Sequence, residues 1–174
     1  MVTQKKVTIP EGVTAEMNGS TLVVSGPKGR LERSMHYPKV SVKVEDGEFV
    51  VETESTRKKI YAMIGTYASH AENMFRGVTE EYVYTMKVVY SHFPIQLKAT
   101  PKQLEVANFL GEKETRIAKI PEGVKLKVGS DEIVITGINK ELVGMMSGRI
   151  ERATKVRGRD SRVFQDGIYI VNKA

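Results

Sequence analysis

The sequence Ile-Pro-Glu-Gly-Val stands at positions 9–13 and again, unchanged, at positions 120–124. The likeness continues past this copy, because Leu-Val-Val-Ser-Gly at 22–26 lies opposite Ile-Val-Ile-Thr-Gly at 133–137 at the same shift. Agreement over so long a stretch is not expected by chance, and the shift exceeds half of the 174-residue chain. The repeat therefore indicates two related domains rather than one.

Each copy of the repeat has the pattern of a turn followed by a β-hairpin. Proline fixes φ at the second position of a turn, and the glycine two residues later supplies a permissive position. Short runs of Val, Ile and Thr follow, broken by Asn18-Gly19 in the first copy and by 129–131 in the second. These runs predict a hairpin in each domain, with 9–26 and 120–137 in equivalent strands.

Two stretches have the apolar spacing of an amphipathic helix. The first helix is predicted from about 57 to 76, with Ser55 or Thr56 as its cap and Gly77 as the left-handed residue after its end. The second is predicted to begin after Asn139 as its cap. The expected buried residues are Ile60, Ile64, Tyr67, Ala71, Met74 and Val78 in the first helix, and Leu142, Met146, Ile150 and Ala153 in the second, with Met145 as further core filler.

The middle of the chain is rich in strand-forming residues. The candidate strands are 82–90, 96–98, 103–109 and 115–120. Several strands followed by a helix thus occur twice, which predicts an α+β fold of two tandem homologous domains, each an antiparallel sheet packed against one helix. A boundary near residue 81 gives domains 1–81 and 82–174.

The charge balance favours an anionic partner. The chain has 27 Lys and Arg against 21 Asp and Glu, a formal net charge of +6, and nucleic acid is the commonest partner of basic proteins. Cysteine is absent, which excludes a disulfide framework, a thiol nucleophile and a cysteine-based metal centre. Because no apolar run approaches the roughly 18 residues of a membrane-spanning helix, we expect a soluble, cytoplasmic protein without membrane contact.

The sequence gives little support to catalysis. The histidines His36, His70 and His92 are far apart and show no metal-ligand spacing. No HExxH or GxSxG motif occurs, and the absence of the dipeptide Gly-Lys excludes a Walker A loop. We therefore expect no enzyme, no metal, no cofactor and no small-molecule substrate.

One short stretch carries a large share of the positive charge. Its six cations are Arg149, Arg152, Lys155, Arg157, Arg159 and Arg162. Only Glu151 and Asp160 oppose them, and a helix dipole explains two or three cations at a helix end but not six. Arginine grips phosphate in bidentate fashion. Because the stretch has no aromatic residue before Phe164, contact with the phosphate backbone of a folded duplex is expected rather than base stacking.

Five segments spread along the chain carry a resemblance to a known family. They are 26–29 (GPKG), 69–74 (SHAENM) followed by Gly77-Val78, 90–95 (YSHFPI), 108–113 (NFLGEK) and 164–169 (FQDGIY). In these segments the chain resembles the ribosomal protein L6 family of the large subunit, in its archaeal and eukaryotic-type branch. The bacterial branch ends in a Lys-Gly-Lys-Gly type of loop, where this chain has VRGRDS at 156–161.

The resemblance implies two homologous α+β domains and binding to large-subunit rRNA, mainly through the C-terminal domain, beside neighbouring ribosomal proteins. It implies a position near the sarcin–ricin loop and the base of the factor-binding stalk. The implied RNA contacts are the six cations, together with Ser91 and His92 in a second loop. Two alternatives remain: a basic interaction module that docks an acidic protein partner, and, with less support, an enzyme acting on an anionic substrate.

Overall fold

Residues 3–90 and 92–173 are described by the computed structural model, and the chain divides into two units, Met1–Glu81 and Tyr82–Ala174. Each unit has its own hydrophobic core. Leu22 and Phe49 are fully buried in the first core, and Ile133 is fully buried in the second. Each half therefore has the buried apolar surface that a folded domain needs.

The described part of the N-terminal unit has six strands followed by a helix. They are β1 (Thr3–Thr8), β2 (Thr14–Asn18), β3 (Thr21–Gly26), β4 (Gly29–Ser34), β5 (Ser41–Glu45), β6 (Glu48–Thr53) and α1 (Lys58–Thr79). The strands pair antiparallel in two sheets, β1-β6-β5 and β2-β3-β4. Because α1 contacts β1 and β6 of one sheet and β3 and β4 of the other, a single helix covers both.

The buried face of α1 and its start near residue 57 are confirmed, whereas its predicted cap and its predicted end are wrong. All six residues expected on the face are buried. Arg57 occupies the N-cap position without a side-chain cap, and the hydroxyl of Ser55 accepts from the Arg57 N–H at 3.4 Å instead. The helix continues through Gly77 to Thr79. Tertiary packing holds this last turn, since the N–H of Lys28 donates to the Val78 carbonyl at 3.0 Å.

The described part of the C-terminal unit has seven strands and one α-helix. They are β7 (Tyr82–Val89), β8 (Gln96–Ala99), β9 (Gln103–Ala107), β10 (Arg116–Lys119), β11 (Val124–Val128), β12 (Glu132–Gly137), α2 (Lys140–Ala153) and β13 (Gly167–Lys173). The strands pair antiparallel in two sheets, β10-β9-β8 and β11-β12-β7-β13. β9 ends before the predicted Phe109, because Asn108 is left-handed (φ 58°) and a 3₁₀ turn follows.

The start of α2 is as predicted, but Leu142 and Ala153, two of the four residues expected on its buried face, are only half-buried. The side-chain oxygen of Asn139 accepts from the N–H groups of Glu141, at 2.9 Å, and Leu142, at 3.4 Å. Met146 and Ile150 are fully buried. Met145 is 44% exposed, so the expectation that it fills the core is wrong. The buried stripe passes through Val143 instead.

The α+β class and the two tandem homologous domains are confirmed, with the strands of each domain shared between two sheets. In chain order, β1 to β6 and α1 correspond to β7 to β12 and α2. Under this correspondence β1-β6-β5 becomes β7-β12-β11, and β2-β3-β4 becomes β8-β9-β10. In both domains the first strand pairs antiparallel with the sixth, and a buried apolar pair lies across them, Val7 opposite Phe49 and Met86 opposite Ile133.

This correspondence corrects the expected equivalence of 9–26 with 120–137. The first segment contains β2 and β3, but the second contains β11 and β12, which correspond in chain order to β5 and β6. The two hairpins still share their local register, since Thr14 pairs with Ser25 and Lys125 pairs with Thr136. A turn motif and an alternating strand pattern recur wherever a hairpin is needed. The repeated pentapeptide is therefore a local similarity and not the register of the duplication.

Candidate nucleic-acid interface

The six predicted cations lie at the end of α2 and in the connection after it. We call them the basic edge, and we call residues 154–166 the basic loop. Arg149 and Arg152 are on α2, and the other four are on the basic loop. All are exposed except Arg149, whose Nη1 donates to the Lys119 carbonyl on β10 at 2.9 Å. The six thus occupy one continuous segment, the end of α2 and the connection that follows it.

Arg116 holds the start of the basic loop and was not among the residues predicted for the site. Its Nη1 donates to the carbonyls of Ala153, at 2.9 Å, and Lys155, at 3.0 Å. Its Nε and Nη2 donate to the Glu112 carboxylate at 2.8 and 2.6 Å, and its guanidinium lies 4.3 Å from the centroid of the Phe109 ring. The hydrogen bond from Arg116 lowers the pKa of Glu112. The four-residue spacing of Glu112 and Arg116 was the one local sequence signal for this anchor. The carbonyls that Arg116 contacts, those of Ala153 and Lys155, are far away in sequence.

Two further groups fix the basic loop against β13. The Thr154 hydroxyl is buried, donates to the Ile150 carbonyl at 3.1 Å and accepts from the Ile168 N–H at 3.2 Å. The Glu151 carboxylate, predicted only as a charge that opposes the cations, accepts from the Ile170 N–H at 3.1 Å. The loop is therefore attached to regular structure at its start.

The outer part of the basic loop is open and turns sharply. Gly158 is left-handed, with φ 69°. Asp160 accepts from the backbone N–H of Arg162 at 2.9 Å and from its Nε at 3.3 Å, yet the Arg162 side chain stays 90% exposed. The guanidinium of Arg159 lies 4.8 Å from the centroid of the Phe164 ring. The exposed guanidinium groups are thus presented to solvent on a loop whose backbone is held.

The second predicted loop meets the basic loop at its far end. The N–H at Nδ1 of His92 donates to Asp166 at 3.0 Å, and the His92 backbone N–H donates to the same carboxylate at 3.4 Å. The His92 ring stacks on Phe164, with 4.6 Å between centroids and 25° between planes. Ser91 lies outside the described residues. Contact of either residue with RNA stays a prediction, as it does for the six cations.

Other kinds of site are not indicated. Over residues 3–90 and 92–173, no cluster of His, Cys, Asp and Glu could hold a metal ion. Within the same ranges, neither helix is both long and apolar enough to span a bilayer.

The duplicated α+β fold and the cation-rich connection after α2 define the class of the protein as a two-domain α+β protein with a basic surface loop. The family model described as ribosomal protein L6 matches residues 9–81 and 93–167, one match to each domain and in the same element order. The chain is 52% identical to large ribosomal subunit protein uL6 of Methanospirillum hungatei, covering 100% of this chain and 99% of that protein. It is 49% identical to uL6 of Methanosarcina mazei, over 98% and 97%, and 44% identical to uL6 of Methanococcus vannielii, over 98% and 94%.

The chain therefore belongs to the ribosomal protein L6 family, in its archaeal type. Members of this family are structural, non-catalytic components of the ribosome, and the expectation that this chain is not an enzyme is confirmed by its membership.

Proposed function

We propose that the protein binds large-subunit rRNA through the basic edge, near the sarcin–ricin loop and the factor-binding region of the large ribosomal subunit. The relatives named above are large-subunit proteins, which supports the choice of subunit. The observation that carries the RNA contact is the set of five exposed cations, one at the end of α2 and four on the basic loop, whose start is held by hydrogen bonds from the Arg116 side chain and to the Thr154 hydroxyl. Its other partners are neighbouring large-subunit proteins, and its place is the cytoplasm.

The proposed mechanism is electrostatic and geometric. Folded rRNA brings phosphates close together, and cations placed between them relieve the repulsion. Four of the five exposed cations are arginines, whose planar fork binds a phosphate through two hydrogen bonds. Because Arg116 and Thr154 already hold the backbone of the loop, little conformational freedom is lost when RNA binds. The basic edge then fixes RNA helices in place without base chemistry.

A salt titration tests the contact. Binding of an rRNA fragment containing the sarcin–ricin loop and adjoining helices is measured at several salt concentrations. A slope of about −0.9 per neutralised phosphate, taken from duplex DNA, predicts a log–log slope of about −4 for four or five contacts. The double substitution Arg157→Ala and Arg159→Ala should flatten the slope by about 2 and weaken binding. Lys58→Ala with Lys59→Ala removes the same charge from the N-terminal domain and should leave the slope near that of the wild type.

Assembly and position are tested on the whole subunit. The protein should co-sediment with large subunits and protect nucleotides of the sarcin–ricin region from chemical probes. A basic module that docks an acidic protein partner would not travel with large subunits. Equal salt slopes for the wild type and the Arg157/Arg159 double variant would place the RNA contact elsewhere.

A further inference from the structure

The aromatic ring of His92 lies against the basic loop, although no aromatic residue precedes Phe164 within the basic stretch itself. His92 stacks on Phe164 at 4.6 Å, and the guanidinium of Arg159 lies 4.8 Å from the centroid of the same Phe164 ring. Tyr90 is 46% exposed and Phe93 is 41% exposed. The fold therefore supplies the alternation of cations and rings that the local sequence lacks.

The buried carboxylate of Asp166 fixes the orientation of the His92 ring. Asp166 is fully buried, and its carboxylate accepts from both the backbone N–H and Nδ1 of His92. Stacking on Phe164 covers one face of the ring, and the His92 side chain nevertheless remains 33% exposed. The ring is held by one hydrogen bond and a stacking partner, and its backbone is held by a second hydrogen bond, so little conformational freedom is lost when the ring contacts a ligand.

Phe93 is also held in position while staying exposed. The tip of its ring lies against Gly111, where an added Cβ would come within 3.3 Å of the Phe93 ring. Gly111 has φ 75°, a conformation that suits glycine. The side-chain amide of Asn108 donates to the Pro94 carbonyl at 3.0 Å, which fixes the backbone directly after Phe93. These contacts position an apolar ring at the surface rather than burying it.

Such an arrangement exceeds what phosphate contact requires. Cations alone bind the backbone of a duplex. An unpaired base needs a planar platform, and the common form is an aromatic or histidine ring beside arginine.

We propose that the exposed surface of His92, together with that of Phe93, the next residue in the chain, stacks on one unpaired nucleobase of RNA, while Arg159 and its neighbours bind the adjoining phosphates. This inference rests on the proposed function and deepens it, because it names a splayed base in addition to folded duplex as the ligand. It adds base stacking to the backbone contact that the lack of local aromatic residues led us to expect.

The test replaces unpaired bases one at a time. Unpaired positions of the rRNA fragment are made abasic in turn, and binding is measured for the wild type, Phe93→Ala and His92→Ala. At one position the abasic change should weaken wild-type binding by roughly 5- to 150-fold. On that abasic RNA, Phe93→Ala should cause little further loss. Because Phe93→Ala removes no charge, its salt slope should equal that of the wild type.

Two controls separate the outcomes. Tyr61 is an exposed aromatic residue, 57% exposed, on α1, and Tyr61→Ala should not alter binding. His92→Phe keeps a stacking ring and should recover much of the binding lost in His92→Ala, whereas Phe93→Ala is a surface change that keeps the fold.

If wild-type binding is insensitive to every abasic position, or Phe93→Ala and His92→Ala bind as wild type does, the base site is wrong and the phosphate contact stands. If the wild type binds no RNA at all, both the base site and the proposed function are wrong.

Discussion

The two domains share six strands and a helix in the same order, and they differ in the segment after the helix. After α1 the chain enters β7 within three residues, whereas after α2 it forms the basic loop and adds β13 to the edge of β7. Four of the six predicted RNA-binding cations lie on that added segment. The duplication thus supplied the same core twice, and the proposed RNA surface lies mainly where the second domain exceeds the first.

The added segment depends on the duplicated core for its shape. Arg116 on β10 supplies donors to the carbonyls at the start of the basic loop, and His92, just before β8, meets Asp166 at its end. The domain difference is therefore an addition anchored by residues of the shared arrangement. Variants that weaken the core, the anchors or the helix ends should affect the two domains in different ways.

The largest expected effect comes from the buried helix faces. Ile64 in α1 is 3% exposed, and Ile150 in α2 is fully buried. Ile64→Ala and Ile150→Ala should each lower the free energy of unfolding by about 2–5 kcal/mol, through lost burial and a cavity. Because Ile150 lies beside the anchored end of the basic loop, only Ile150→Ala should also weaken RNA binding.

Urea unfolding of the full chain and RNA titration of the folded variants check this prediction. Met145→Ala is the matched control on α2, since Met145 is exposed and its removal should change stability by less than about 0.5 kcal/mol. Equal loss of RNA affinity in Ile64→Ala and Ile150→Ala would show that the two domains do not differ in their link to the RNA surface.

A second contrast concerns glycines that differ in the space around them. A Cβ on Gly26 would come within 2.9 Å of the Val78 Cβ and carbonyl oxygen, whereas Gly65 in α1 and Gly144 in α2 have nothing within 4 Å. Gly26→Ala should therefore lower the unfolding free energy by about 1–3 kcal/mol through overpacking. Gly65→Ala and Gly144→Ala should raise it by about 0.4–1 kcal/mol. Thermal melts of the three variants and the wild type check these signs. If Gly26→Ala is as stable as the wild type, the end of α1 can move away from β3 without cost.

Local sequence patterns predicted local structure well and failed where distant residues meet. The spacing of Ile60, Ile64 and Tyr67 predicted the buried face of α1, and the short polar side chain of Asn139 predicted the cap of α2. Gly77 failed as a helix end because packing of Val78 against Gly26 extends the helix, a contact between residues 52 positions apart.

The candidate site shows the same limit. The charge count located the basic edge, because clustering along the chain is visible in sequence. The pairing of His92 with Asp166 spans 74 residues. The hydrogen bonds from Arg116 to the last residue of α2 and to the start of the basic loop span 37 and 39. Neither of these contacts leaves a periodic pattern in the amino-acid sequence. The repeated pentapeptide misled for the opposite reason, since a strong local identity concealed a different place in the domain.

The anchor of the basic loop predicts an intermediate effect. Arg116→Lys keeps the charge but loses the fork that reaches two carbonyls and Glu112 together. Loss of these hydrogen bonds should weaken RNA binding by roughly 10-fold, at about 0.5–1.5 kcal/mol per bond, with the salt slope unchanged because no cation is removed. Arg30→Lys is the control, since Arg30 pairs with Glu32 on the surface of the N-terminal domain. A flattened slope in Arg116→Lys would mean that Arg116 itself contacts phosphate and is not an anchor.

The smallest effects should come from the helix starts, where the two domains differ most plainly in local chemistry. Asn139 caps α2 through two hydrogen bonds, and Glu141 places an acid in its first turn. α1 begins with Arg57 at the cap position, followed by Lys58 and Lys59, with no side-chain cap and no acid in its first turn. Cations at a helix N-terminus oppose the helix dipole.

Removing the cap of α2 and adding a cap to α1 should therefore change the unfolding free energy in opposite directions. Asn139→Ala should lower the unfolding free energy by about 1 kcal/mol, because two N–H groups lose their acceptor. Arg57→Asn should raise it by about 0.5–1 kcal/mol, since it adds a cap and removes a cation. Urea unfolding at low and high salt separates the two causes, because the charge part is screened by salt and the hydrogen-bond part is not. If Arg57→Asn leaves stability unchanged at both salt concentrations, the start of α1 is held by tertiary packing alone, as its end is by Val78.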